Sequence, residues 1–166
     1  MRKAEIKDIN EIKYIIDNAK RSLKEDGVDQ WQIDSMDYDF IRDEINSKKA
    51  YVYEEEGEIL SYAFLSDYKE PAYKKRDDDL KGYRPLTIHT FAVKDEMKKK
   101  GVAMKFFIDI IKYAGENSFD SLRIDTHEDN VKMRGLINKM GFKIVGEIFI
   151  DEEGKKKPRI CYELLL

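Results

Sequence analysis

From Ile9 onward apolar residues return every three or four positions, at Ile9, Ile12, Ile15, Ile16, Ala19 and Leu23, the spacing of one buried face of a helix. Asp8 and Glu11 stand at its head with capping-box spacing. A short strand is expected before it, over 2–6 (R-K-A-E-I), and G-V-D-Q-W-Q at 27–32 ends the periodic run. A second helix is predicted over 38–47 with Phe40, Ile41 and Ile45 facing inward. Residues 50–55 and 58–65 are strand-like runs on either side of E-G, a hairpin signal. The stretch 67–85 is polar, carries two prolines and reads as a long irregular connection.

From Leu86 strands and helices alternate. L-T-I-H-T-F-A-V (86–93) is rich in β-formers, and Val102, Ala103, Phe106, Phe107, Ile110, Ile111 and Ala114 then make one broad helical face. S-L-R-I-D-T (121–126) predicts another strand. A helix from about Asn130 to Met140 follows, with Met133, Leu136, Ile137 and Met140 on one side and Gly141 as its C-cap. F-K-I-V-G-E-I-F-I (142–150) and R-I-C-Y-E-L-L-L (159–166) are two last strands around a turn-rich D-E-E-G-K-K-K-P. The order β-α-α-β-β-β-α-β-α-β-β predicts an α/β sheet with antiparallel hairpins at both ends and right-handed βα crossovers between them. No repeat, low-complexity tract or Ser/Gly linker divides the chain, so residues 1–166 are read as one domain.

Composition narrows the function classes. Charged residues make up 39% of the chain and hydrophobic ones 42%, the balance of a globular protein with a charged surface. A net charge of −3 argues against a general nucleic-acid binder, so anion binding has to be local, at Lys98–Lys100 or Lys155–Lys157. One cysteine, Cys161, leaves no intrachain disulfide and no multi-cysteine metal site. The N-terminal residues lack a signal-peptide apolar run and no stretch approaches membrane-spanning length, which makes a cytoplasmic protein the expectation.

Candidate chemistry gathers in two places. In K-K-K-G-V-A (98–103) three lysines and a glycine meet the start of a helix, whose first turn has unpaired amides and a partial positive charge. Gly101 lets a ligand approach the main chain, so the unit reads either as a phosphate cradle or as a solvated basic turn. It is neither a P-loop nor a Rossmann fingerprint. His89 and His127, the two histidines, stand in or just after predicted strands and titrate near neutrality; each reads as a proton carrier or a hydrogen-bonded structural residue. In D-T-H-E-D-N (125–130) carboxylates flank His127, with helix capping as the simplest role for at least one of them. Metal-binding spacings such as H-E-x-x-H and a G-x-S-x-G elbow are absent, so no metal and no serine nucleophile is expected.

Taken together, F-A-V-K-D-E-M-K-K-K-G-V-A-M-K-F-F (91–107) is similar to the acetyl-CoA motif of the GNAT superfamily of N-acetyltransferases, in which a strand leads into [Q/R]-x-x-G-x-[G/A] at a helix start. N-V-K-M-R-G-L-I-N-K-M-G-F (130–142) resembles that family's second signature, an asparagine followed by a helix ending in K-x-G-F. D-G-V-D-Q-W-Q and R-I-D-T-H-E-D-N resemble a bacterial, uncharacterised subgroup of it, and the likeness spans essentially the whole chain. The resemblance implies a mixed central sheet of about seven strands, splayed parallel central strands at 86–93 and 121–126, and about four helices. It implies a pantetheine arm paired to the main chain of Phe91, Ala92 and Val93. The pyrophosphate would lie on the amides of Lys99, Lys100, Gly101, Val102, Ala103 and Met104, with Lys98 and its neighbours screening its charge. Asn130 and Met133 would stand at the thiol end.

The implied activity is transfer of an acetyl group from acetyl-CoA, as co-substrate, to a primary amine of a small molecule or peptide, by a monomer or homodimer acting on neither nucleic acid nor membrane. The amine must shed a proton, and Asp125 stands where some relatives keep a carboxylate for this; His89 and His127 are its rivals. The acceptor is expected against the first helices, Trp31 and the 67–85 segment. One departure favours an alternative, a non-catalytic acyl-CoA binder or sensor. Ile137 occupies the position of a tyrosine that protonates the leaving thiolate in many relatives, so either coenzyme A leaves unassisted or a nearby tyrosine such as Tyr162 substitutes.

Overall fold

The computed structural model describes residues 1–32, 36–68, 70–152 and 154–166. The elements run β1 (Arg2–Lys3), α1 (Ile9–Glu25), α2 (Tyr38–Asn46), β2 (Ala50–Glu55), β3 (Glu58–Ser66), β4 (Pro85–Val93), α3 (Val102–Glu116), β5 (Ser121–Thr126), α4 (Val131–Lys139), β6 (Lys143–Glu152) and β7 (Lys155–Leu165). That is the order predicted from periodicity. The strands form one mixed sheet in the order β1-β2-β3-β4-β5-β7-β6, in which β4 and β5 are parallel and the other neighbours antiparallel. Main-chain contacts group the chain into two compact units, residues 1–66 with 88–110, and residues 67–87 with 111–166.

In the first unit, α1 and α2 bring Ile12, Ile15, Ile16, Ile41 and Ile45 into a core with Val52 and Tyr62. Trp31 packs partly against this core, at a backbone φ of 60°. The α2 helix starts at Asp37, whose carboxylate accepts from Phe40 N–H at 2.9 Å. Three details depart from the sequence reading. β1 ends at Lys3, because Ile6–Asp8 turn into a 3-10 segment. Asp8 does not cap α1 with Glu11; its carboxylate turns back to accept from Glu5 N–H at 2.8 Å and pairs with Arg2, which holds it below the usual carboxylate range despite burial. Phe40 is 37% exposed, since the inward stripe of α2 runs through Ile41, Glu44 and Ile45.

In the second unit, the 67–85 connection is more ordered than its polarity suggests. Pro71–Arg76 form a 3-10 segment that buries Tyr73 with Leu80, Ile148 and Cys161. Arg76 Nε donates to the carbonyl of Glu147 at 3.0 Å, tying this segment to β6. Two carboxylates hold the rest. Glu163 accepts from the amides of Lys81 and Gly82, and Asp120 from those of Tyr83 and Arg84. The final hairpin is also longer than predicted: β6 reaches Glu152 and β7 starts at Lys155, so most of D-E-E-G-K-K-K-P is paired strand. Lys69 and Glu153, which fall within those two stretches, lie outside the described residues. Among the described residues no helix is long and apolar enough to cross a membrane.

Candidate functional site

The first unit carries the β4–α3 junction. Phe91 anchors the end of β4 by packing on Phe106 and Phe107 of α3, with ring centroids 5.6 and 4.6 Å apart. Beside it the Ala92 carbonyl accepts from Ser61 Oγ at 2.6 Å. The connection that follows is fastened to α1 at several points. Lys94 Nζ bridges Glu11 and Glu58 at 2.7 and 2.8 Å, and these carboxylates hold its ammonium pKa above the ordinary lysine value. Tyr14 donates to Glu96 at 2.8 Å, and Arg21 pairs with Asp95 at 3.6 Å. Lys98 donates to Ser22 Oγ at 2.9 Å and pairs with Asp95. The chain therefore enters α3 from a braced loop.

At that entry Lys99 and Gly101 both take the left-handed backbone, at φ 64° and 82°. This curls the chain so that Lys100 N–H returns to the Met97 carbonyl, 3.3 Å away, and Gly101 C=O receives the Lys105 amide at 3.1 Å. The amides of Val102, Ala103 and Met104 lie in the first turn of α3, where N–H groups have no acceptor within the helix. A Cβ built on Gly101 would meet nothing within 4 Å, so the space beside this glycine is open. The geometry is that of an anion cradle: a helix N-terminus, its partial charge, and a left-handed glycine at the lip.

The second unit carries the β5–α4 junction. Asp125 Oδ2 accepts from the Tyr73 hydroxyl at 2.8 Å. Burial, and after it the charge on Asp125, pushes the Tyr73 hydroxyl pKa well up, so Tyr73 stays a neutral donor. The same two causes, in the same order, push the Cys161 thiol up to about 12, which leaves it inert at neutral pH. Arg123, placed on the Asp125 side by strand alternation, spends its charge elsewhere: Nε meets Glu163 at 3.0 Å and Nη2 meets the Gly82 carbonyl at 2.8 Å. His127 Nδ1 accepts from the Asp129 amide at 3.2 Å, which puts the proton of a neutral ring on Nε2. Asn130 is the N-cap of α4, its Oδ1 accepting from Met133 N–H at 3.1 Å. Ile137 is fully buried. Tyr162, also fully buried, accepts from Arg134 Nε at 3.1 Å, so its own hydroxyl hydrogen is available for another acceptor.

The structure thus gathers Phe91, Ala92, Val93 and Lys98–Met104 around one junction, and Asp125, His127, Asn130 and Met133 around the other. His89 lies on β4 with its ring 6.2 Å from that of Phe64. A cleft of about 770 Å³ in the second unit, between the 70–85 segment and Arg123, is lined by none of the residues expected at the cofactor site. One group escaped the sequence reading. Glu44 of α2 is buried, accepts from the Tyr62 hydroxyl, and has Thr90 Oγ1 3.4 Å from its Oε1. Burial raises its pKa to about 7, against the smaller opposing pull of those two hydroxyls. Its signal was its place between Ile41 and Ile45 on the inward stripe of α2.

Comparison with known proteins places this arrangement. The profile of the acetyltransferase (GNAT) family matches residues 16–142, and the chain belongs to that family. A GNAT-family acetyltransferase from Streptococcus agalactiae is similar at 28% identity, over 99% of this chain and 94% of that one, with a TM-score of 0.85. A GNAT-family acetyltransferase from Listeria monocytogenes shares the fold at 19% identity, over 99% and 93% of the two chains, with a TM-score of 0.75. So does YncA from Salmonella typhimurium, solved with its cofactor acetyl-CoA, at 17% identity, over 99% and 91%, with a TM-score of 0.72. Among curated protein sequences none matches the chain.

Proposed function

We propose that this protein moves an acetyl group from acetyl-CoA to a primary amine, which attacks the thioester directly. The observation that carries the reading is the β4–α3 junction, where a left-handed glycine with open space beside it stands at the first turn of α3. Membership of the GNAT family supports it, as does the presence of acetyl-CoA in the YncA structure. In this reading the amides of Val102, Ala103 and Met104 take the pyrophosphate, and Lys99 and Lys100 add screened positive charge. The main chain of Phe91–Val93 pairs with the pantetheine arm, and an amide there stabilises the oxyanion that forms when the amine adds. Residues 1–166 act as one domain, in the cytoplasm, without a metal.

The departing thiolate needs a proton, and buried Ile137 cannot give one. Tyr162 is the group we assign to this, because Arg134 donates to its oxygen and leaves its hydrogen to give. Asn130 is occupied in capping α4, so we assign it the task of orienting that helix start beside the thiol end. Of the three candidates for the amine's proton, Asp125 accepts from Tyr73, His127 accepts from the Asp129 amide, and His89 lies with its ring against Phe64.

The test is calorimetry with acetyl-CoA, followed by a thiol-release screen against a panel of primary amines. Binding with turnover supports the enzyme. Binding with no turnover on any amine supports the acyl-CoA binder that Ile137 suggests, and no binding refutes both.

A further inference from the structure

We propose that Glu44, with Tyr62 and Thr90, forms the site that takes the acceptor's protonated amine and removes its proton. This rests on the acetyl-transfer reading above and adds a fourth candidate for its base to Asp125, His89 and His127. Glu44 is 8% exposed, on the apolar stripe of α2 between Ile41 and Ile45. A carboxylate so buried normally has a cation or several amide donors, because desolvation disfavours its charge. Among the described residues Glu44 has two neutral hydroxyls: Tyr62 from β3, donating to Oε2, and Thr90 from β4, 3.4 Å from Oε1. Among the described residues burial dominates its titration, with those two hydroxyls opposing it and no charged side chain contributing. Tyr62 is the one titratable group among these contacts, and burial, then the Glu44 charge, holds it in its neutral form. His89, next to Thr90 in β4, turns its ring to Phe64.

A neutral, donor-poor carboxylate site lacks one thing, a positive charge, and an alkylammonium brings that charge with the proton to be removed. The placement suits the reaction. Thr90 precedes Phe91, and one strand residue advances about 3.3 Å. The carboxylate therefore meets β4 one residue before the main chain assigned to the thioester, and an amine held by Glu44 arrives beside the carbonyl it must attack.

The proton balance closes. The ammonium gives a proton to Glu44, and the free amine adds to the thioester carbon, forming the C–N bond. The carbon–sulfur bond then breaks, the second nitrogen proton ends on the coenzyme A thiol, and Glu44 returns its proton to solvent. A purely structural Glu44 would keep the same hydrogen bonds without its charge state governing the rate, and the experiment separates the two roles.

Acetyl-CoA affinity by calorimetry should be equal in the wild type and Glu44→Gln, whose amide keeps both hydroxyl partners and so keeps the fold. With the best amine from the screen, Glu44→Gln should lower kcat/KM by at least about tenfold and erase the acidic limb near pH 7. Tyr62→Phe removes a donor that favours the carboxylate, so the acidic limb should move to higher pH. A Glu44→Gln enzyme that keeps both its rate and its acidic limb overturns the proposal while leaving acetyl transfer intact. If no amine is turned over, acetyl transfer fails, and the site is judged by carboxyl ¹³C NMR of the wild-type protein titrated with n-butylamine. A saturable shift of the Glu44 signal supports an ammonium site, and no shift overturns it.

Discussion

Replacing Gly101 with alanine tests the anion cradle, provided the cost of the backbone is separated from the cost to the ligand. Gly57, in the turn between β2 and β3, supplies the control. The two glycines have nearly the same φ, 82° and 80°, and a Cβ on either would meet nothing within 4 Å. Neither substitution creates a clash, so each costs the strain of a left-handed alanine, about 1 kcal/mol. In a chain of 166 residues that lowers Tm by roughly 2–4 °C for each variant.

Equal strain should have unequal consequences. At Gly101 the strain is relieved by turning the peptide toward negative φ, which redirects the amides that open α3. The added methyl also stands in the space through which a diphosphate must approach them. Acetyl-CoA affinity of Gly101→Ala should fall at least about tenfold, or 1.4 kcal/mol, and that of Gly57→Ala should not change. Thermal melts and calorimetry on the three proteins read both quantities. If the two variants lose equal stability and Gly101→Ala still binds acetyl-CoA like the wild type, the pyrophosphate does not lie on these amides.

Three other outcomes follow from charges already placed. Both lysines are exposed, but Lys98 is paired with Asp95 while Lys100 Nζ meets only the Met97 sulfur among the described residues, so Lys100→Ala should weaken acetyl-CoA binding about two- to fivefold at low salt and more than Lys98→Ala, the difference shrinking as salt rises. Calorimetry at two ionic strengths checks this. Glu163→Gln leaves the buried Arg123 charge without its partner and loosens two amide bonds to the 81–82 segment, so unfolding in urea should show a loss of about 3–5 kcal/mol. Burial raises the Glu44 pKa to about 7, so the folded state holds a proton that the unfolded state releases near 4.5. Wild-type stability should therefore fall, relative to Glu44→Gln, as pH rises from about 4.5 to 7. The gap should level off above that at roughly 3 kcal/mol in favour of the variant, and urea melts at pH 5 and pH 8 that give the same gap would remove Glu44 from the ionisable groups.

How far the sequence foretold all this depends on the range of the forces involved. Element order was legible because helix and strand periods are local, and Ile12, Ile15 and Ile16 in α1 or Val102, Phe106 and Ile110 in α3 declare a buried face within a few turns. The β4–α3 junction is legible for the same reason: strand end, glycine and helix start are contiguous in the chain. Side-chain partners are set by tertiary contact, and there the reading stopped. The 67–85 stretch looked irregular because its order comes from Glu163, Asp120 and β6, all far along the chain. Asp8 was assigned to cap α1, and Arg2 drew its carboxylate the other way.

Glu44 shows the limit most clearly. Phe40 was assigned to the inward face of α2 because it is apolar, yet the stripe turned by a few tens of degrees and took the acidic residue instead. Hydrophobic pattern scoring penalises such a choice, since a buried carboxylate without a cation destabilises the fold. A buried carboxylate beside β4 breaks that local rule, and the proposed ammonium site is the role in which its charge would be compensated. The residue that fits the helix pattern worst is for that reason the first to mutate.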